Sequence, residues 1–154
     1  MIENLPLLNL PSFGVKVTEK NGKRMIYDPL RRKFVALTPE EWVRQHFVHY
    51  LITEKGYPPS LVGNEISLQV NSTAKRCDTI VYNPFLAPLM IVEYKSPMIS
   101  IKRVVFDQIS RYNTVLRVRY LTVSNGIQHF CCRMDYETQT YTFLESLPDY
   151  DELG

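Results

Sequence analysis

The amino-acid sequence predicts an α/β domain with an αβββαβ core around a central mixed sheet, preceded by an N-terminal β hairpin. Two apolar, β-branched stretches, residues 76–82 and 89–95, flank a loop with two prolines, which is typical of adjacent strands. A helix-start signal lies upstream at residues 38–41, and a helical pattern followed by a further apolar stretch lies downstream. The length of 154 residues fits a single domain.

The predicted hairpin lies in an N-terminal extension, residues 1–37. Phe13, Val15 and Val17 alternate with polar neighbours, and Asn21-Gly22 favours a two-residue turn. The extension is also rich in basic side chains, which either contact phosphate or protect a sheet edge from pairing with another chain. These residues are Lys16, Lys20, Lys23, Arg24, Arg31, Arg32 and Lys33.

The predicted core, residues 38–135, begins with a helix. Thr38 is a favoured N-cap, Pro39 suits the first helical position, and Glu41 completes a capping box. Apolar residues recur at helical spacing until Gly56 ends the helix. A half-buried strand at 63–70 then leads into the two apolar stretches.

Those two stretches predict a hairpin that carries three charged side chains. A hairpin centred between residues 85 and 86 pairs Asp78 with Glu93. Because side chains alternate along a strand, Glu93 and Lys95 share one face, whereas Val92 and Tyr94 take the other. The predicted register therefore brings two carboxylates and an amine together.

Neighbouring carboxylates favour a divalent cation, and oxygen ligands favour Mg²⁺ or Mn²⁺. The carbonyl of Tyr94, between the two functional positions, could add a ligand. A lysine beside such an ion can orient or deprotonate an attacking water and can neutralise charge on a phosphate. A purely structural ion pair between Lys95 and either carboxylate is the alternative that the spacing leaves open.

Downstream, Ser100 predicts the cap of a second helix that runs to about Arg117. Gln108 and Tyr112 lie four residues apart and share one face of it. The stretch 120–123 predicts a strand parallel to the second arm of the hairpin, and 128–133 and 141–144 complete the sheet. Residues 136–154 hold the final strand and an acidic tail, whose end, 147–154, we expect to be mobile.

The order Asp78, Glu93-Tyr94-Lys95, then Gln108 to Tyr112, resembles the PD-(D/E)xK nuclease superfamily. More closely, residues 38–135 resemble the N-terminal nuclease domain of type I restriction enzyme R (motor) subunits and its stand-alone relatives, including the run 123–126. Cys77 replaces the proline expected before the aspartate, and we expect its side chain to face away from the ion. The sequence contains no motor or helicase region, so we expect a stand-alone domain rather than complete type I restriction.

The resemblance implies a restriction-endonuclease-like αβββαβ fold and a metal-dependent deoxyribonuclease. It implies that Mg²⁺ (or Mn²⁺) binds at Asp78 and Glu93, with Lys95 as the third catalytic residue. The first helix of the family can supply a third acidic ligand, which by position is Glu41, although the capping role explains Glu41 without a metal. The residues expected to contact DNA are Gln108, Tyr112 and Arg44.

Two other functions remain open at this point. The fold is compatible with a catalytically silent nucleic-acid- or protein-binding module, and with a nuclease subunit that needs a separate motor or specificity subunit. Residues 1–134 hold all 18 basic residues and 10 of the 16 acidic ones, a balance of +8 that suits phosphate binding.

The sequence also predicts the compartment. No apolar stretch is long enough for a membrane span, and the first residues do not open a signal peptide, so we expect a cytoplasmic protein without a membrane partner. The three cysteines lack C-x-x-C spacing, which favours reduced thiols.

Overall fold

The computed structural model describes residues 5–70, 72–113 and 117–154. The helices are α1 (Pro39–Glu54) and α2 (Arg103–Asn113), and short 3₁₀ turns lie at Pro59–Leu61 and Tyr150–Glu152. The strands are β1 (Val17–Lys20), β2 (Lys23–Asp28), β3 (Lys33–Ala36), β4 (Val62–Val70), β5 (Thr73–Tyr82), β6 (Pro88–Tyr94), β7 (Tyr120–Ser124), β8 (His129–Asp135) and β9 (Thr140–Phe143).

The N-terminal extension forms a small antiparallel sheet in the order β1-β2-β3. Asn21 and Gly22 both have positive φ, as a tight turn between β1 and β2 requires. The predicted hairpin is therefore present, and β3 adds a strand to it. The chain turns into β3 because Asp28 accepts a hydrogen bond from the Leu30 N–H and Arg32 takes a left-handed conformation.

The central sheet has six strands in the order β4-β5-β6-β7-β8-β9. Its neighbours pair antiparallel except β6 and β7, which are parallel. Parallel pairing of consecutive strands needs a crossover, and α2 supplies it. The predicted α/β fold with a mixed central sheet is thus confirmed.

One helix packs on each face of this sheet. On one face, α1 buries Val43, Phe47 and Leu51 in a cluster that includes Val92 and Tyr94 of β6. On the other, the cluster beneath α2 comprises Cys77, Ile80, Ile91, Ile101, Phe106, Val118, Leu121, Val123 and Cys132. Each large apolar side chain buried in this way contributes roughly 1.5–3 kcal/mol to stability.

The predicted start of α1 is present in the structure, whereas α2 begins later than predicted. The Thr38 hydroxyl accepts the Glu41 N–H at 3.0 Å, so half of the predicted capping box forms. By contrast, α2 begins at Arg103 rather than directly after Ser100, because residue 101 is buried in the core before the helix starts. Arg117, the predicted end of that helix, has φ +52° and lies outside α2, and residues 114–116 are outside the described chain. Neither α1 nor α2 combines the length and apolar character that crossing a bilayer requires.

The expectation of a mobile C-terminal end is wrong. The Tyr57 hydroxyl donates to the Pro148 carbonyl at 2.9 Å, and the Tyr150 N–H donates to the Lys55 carbonyl at 2.9 Å. The Tyr150 hydroxyl donates to the Tyr82 carbonyl, and Leu153 is buried. This segment is acidic in composition, but it also contains apolar residues, and these pack beside α1 and β5.

Candidate active site

The site lies where β5 and β6 meet. Their ladder pairs Thr79 with Val92 and Ile80 with Ile91, which is the register that opposes Asp78 to Glu93. Val92 packs in the α1-facing cluster and Ile91 in the α2-facing cluster. Since side chains alternate, Glu93 and Lys95, both half-buried, belong to the α2 face.

Asp78 occupies an irregularity in β5. The paired ladder stops at Thr79, and the Asp78 Oδ2 atom instead accepts the Tyr94 N–H at 2.9 Å. The Asp78 carbonyl points towards α1 and accepts a hydrogen bond from Arg44 Nη1 at 2.8 Å. Glu65, which lies opposite Asp78 on β4, has a φ of +56°. Irregularities of this kind re-aim side chains beside functional sites. The Asp78 carboxylate is thereby fixed between the two strands, beside the backbone of the Glu93–Lys95 segment.

Lys95 is held through its backbone. Its N–H donates to the Ser124 carbonyl of β7 at 2.9 Å, one residue beyond the end of β6. Within the described residues the Lys95 side-chain amine has no salt bridge or hydrogen bond, so the structural ion pair left open by the sequence is not formed there. This arrangement leaves the amine available for a bound group.

Lys75 is a second lysine at this place, which sequence reasoning missed. It is buried on β5; burial lowers its pKa, and the nearby Glu93 carboxylate partly opposes that shift. Cys77, which replaces the proline of the superfamily, packs with Ile91 on the α2 face, and burial followed by the charge of Glu93 raises the pKa of its thiol to about 11. The available signal was that Lys75 lies two residues before the buried Cys77 in the same strand. Side chains two residues apart on a strand share one face.

Glu41 lies at the centre of a buried charge cluster beside the site. Both carboxylate oxygens of Glu41 accept hydrogen bonds from Arg31 Nη2, at 2.8 and 2.9 Å. Glu41 also accepts a hydrogen bond from Arg44 Nη2 at 2.7 Å. Gln45 donates a further bond at 2.7 Å. These contacts support a structural role for Glu41 and leave its predicted role as a metal ligand without support from the geometry.

Arg44 links α1 to the site strands. It donates to Glu41, to Glu65 at 2.8 Å and to the Asp78 carbonyl, and it is buried. Burial opposes its charge, but hydrogen bonds to Glu41 and Glu65 outweigh that effect and raise the pKa of the guanidinium. A buried side chain with these partners positions Asp78, and its geometry gives no support to the predicted phosphate contact.

A polar chain connects the N-terminal sheet to β6. The Tyr94 hydroxyl donates to Thr79, Thr79 donates to Asn64 at 2.7 Å, and Asn64 donates to Asp28 at 3.1 Å. Asp28, 1% exposed, also binds Arg31 and the backbone N–H of Leu30. These buried groups tie the extension to the site strands.

Acid is expected to destabilise the fold partly through Asp28. Burial raises the pKa of this carboxyl, but hydrogen bonds from Arg31, Asn64 and the Leu30 N–H outweigh burial and hold it below 3.8. A folded-state pKa below the unfolded one stabilises the protein above about pH 4, and this contribution is lost as the pH falls through the folded value. Urea unfolding at pH 7, 4 and 3 should show a smaller loss of stability for Asp28→Asn than for wild type.

The control for this experiment is Glu137→Gln, which removes an exposed carboxylate and should keep the wild-type pH dependence. Parallel curves for wild type and Asp28→Asn would contradict the assignment.

The helix α2 lies over the face that carries Glu93 and Lys95. Phe106 and Ser110 turn inward, whereas Gln108 is exposed. Gln108 is two residues from both of them along α2, so its side chain points away from the sheet and from the face that carries Glu93 and Lys95. The side chain of Tyr112, its predicted companion, lies outside the described residues.

The side chains at the site limit which metal ion could bind there. Within the described residues, no three or more His, Cys, Asp or Glu side chains form a metal-binding group. Mg²⁺, however, commonly takes one or two carboxylates and completes its shell with water and substrate phosphate. Asp78 and Glu93 therefore fit Mg²⁺ or Mn²⁺ shared with a substrate, and they do not fit a metal enclosed by protein ligands alone.

Fold and site together define an α/β domain with a polar hairpin at the centre of a mixed sheet. The family described as type I restriction enzyme R protein N terminus (HSDR_N) matches residues 39–148, and the chain belongs to this family.

A solved structure supports the same fold. It is a fragment described as an HsdR subunit of a type I restriction enzyme from Vibrio vulnificus YJ016, with a TM-score of 0.54 and 21% identity. The match covers 76% of this chain and 24% of that chain. A search of curated proteins found no match.

Proposed function

We propose that this chain is a metal-dependent deoxyribonuclease domain that hydrolyses phosphodiester bonds of DNA. One observation carries the proposal: the carboxylate of Asp78 is fixed by the Tyr94 N–H at the end of β6, between Glu93 and Lys95 in the chain. Membership of a restriction-enzyme R-subunit family supports a nuclease-type function. The same membership supports DNA and other restriction subunits, such as a separate motor or specificity subunit, as partners.

Each side chain has a distinct part in the proposed reaction. Asp78 and Glu93 would hold Mg²⁺ or Mn²⁺, which when bound supplies neutralisation of charge on the phosphate. The Tyr94 N–H occupies one oxygen of Asp78 and so fixes the direction of the other. Lys95 would orient the attacking water and hold positive charge close to the developing negative charge.

Cleavage of single- and double-stranded DNA with Mg²⁺ or Mn²⁺ tests the proposal. Wild type should cleave, EDTA should stop cleavage, and Asp78→Ala should lower the rate at least about a hundredfold because the fixed ligand is lost. Asp151→Ala, which removes an exposed carboxylate of the C-terminal turn, is the matched control and should behave as wild type. Equal rates for wild type and Asp78→Ala would reject the proposal.

The excess of basic residues over 1–134 favours a second candidate, a nucleic-acid-binding module without catalysis. That candidate requires salt-dependent DNA binding without a divalent ion, unaffected by Asp78→Ala. A requirement for Mg²⁺ in the binding titration would count against it.

A further inference from the structure

Directly after Lys95 the chain makes a tight turn that exposes apolar side chains beside the candidate site. Met98, three residues beyond Lys95, is 86% exposed, and Ile99 is 44% exposed. Large apolar side chains are rarely left in water on this scale without a binding partner when several lie together. Val104, in the first turn of α2, is exposed as well.

This turn is well anchored. The Ile99 N–H donates to the Ser96 carbonyl at 2.9 Å, and the Met98 N–H donates to the Ser96 hydroxyl at 3.2 Å. Asn125, which follows β7, donates from its side chain to the Ile99 carbonyl at 2.7 Å. Ser96 and Asn125 are both buried. The exposure of Met98 is therefore a property of an ordered turn, and Asn125 is the residue that positions it.

The charges around the turn indicate what Met98 contacts. Lys95 precedes it, and the exposed Lys102 and Arg103 follow it. These basic side chains complement the negative charge of a nucleic-acid backbone. Apolar side chains with basic neighbours are used by proteins that insert a wedge between base steps of DNA.

We propose that Met98 is a nucleobase contact. The turn at residues 96–99 places the thioether side chain against the bases of DNA bound at the candidate site, while Lys102 contacts the phosphates. A Met side chain suits this role because it is unbranched and polarizable. The inference rests on the proposed function for the identity of the ligand as DNA, and it concerns binding rather than cleavage.

The test measures binding of the full chain to a fluorescent DNA duplex by anisotropy, in Mg²⁺ with a cleavage-resistant phosphorothioate duplex and again in EDTA, so that cleavage does not interfere. Met98→Ala should weaken binding roughly tenfold or more, because about one apolar side chain is no longer buried. Phe85→Ala is the matched control: Phe85 is 90% exposed in the loop between β5 and β6, at the opposite end of β6 from Lys95, and its removal should change affinity less than about twofold.

A duplex containing 2-aminopurine provides a second readout. Wild type should raise its fluorescence by unstacking the base, and Met98→Ala should not. Unchanged affinity in Met98→Ala, equal losses in both variants, or no DNA binding by wild type would each overturn the inference. Failure of the proposed function has a different signature, namely absent cleavage while binding still depends on Met98.

Discussion

Lys95→Ala is expected to lower the rate of DNA cleavage by roughly two to four orders of magnitude, the usual range for a positioned acid–base group. The Lys95 side chain has no salt bridge or hydrogen bond within the described residues, and its backbone is held by Ser124. The substitution should therefore leave the fold intact. Single-turnover cleavage in Mg²⁺ measures the effect, and Mn²⁺ titration by calorimetry should give an affinity close to that of wild type.

Two comparisons separate a catalytic Lys95 from a merely cationic one. Lys95→Arg keeps the charge but changes its shape and proton affinity, so it should restore DNA binding without restoring the rate. Lys55→Ala removes a surface ion pair with Asp149 and a cation–π contact with Tyr50, and it serves as the control. Full activity in Lys95→Ala would show that the assigned role is wrong.

The second large effect concerns stability. Glu41→Gln should lower the free energy of unfolding by about 3 kcal/mol, because buried Arg44 and half-buried Arg31 lose their shared carboxylate. Glu40→Gln is the matched control at the neighbouring position. Since Glu40 is exposed, its replacement should change stability by less than about 0.5 kcal/mol. Urea denaturation of the two variants at pH 7 measures both values.

This comparison also decides between the two roles considered for Glu41. A metal ligand would lose affinity for Mn²⁺ on conversion to Gln with little loss of stability. A structural carboxylate would lose stability, with its effect on metal affinity arising only through the position of Asp78. A stable Glu41→Gln variant with weakened Mn²⁺ binding would therefore reverse the structural interpretation.

Local sequence patterns were sufficient to predict much of the β5–β6 hairpin. Alternation assigned Val92 and Tyr94 to one face, and the position of the loop gave the register that pairs Thr79 with Val92. Both follow from rules of period and turn length that act over a few residues. The N-cap at Thr38 was predictable for the same reason.

Other features depend on contacts between distant residues. A capping box was the natural interpretation of Glu41, but Arg31 and Arg44 compete for its oxygens once the N-terminal sheet is packed against α1. Likewise, an acidic composition favoured a mobile C-terminal end, whereas the bond from Tyr150 to the Tyr82 carbonyl and the burial of Leu153 hold it in place.

The sequence by itself determined the order of the elements and the faces of β6, and it predicted the meeting of two carboxylates with a lysine, because periodicity and turn chemistry are properties of neighbouring residues. Only the tertiary structure decided that Arg44 is a buried link to Asp78, that Lys75 accompanies Glu93, and that Asn125 holds the turn bearing Met98. These three features depend on burial and on competition for hydrogen bonds between residues far apart in the chain. Such interactions form only once the strands and helices are packed together.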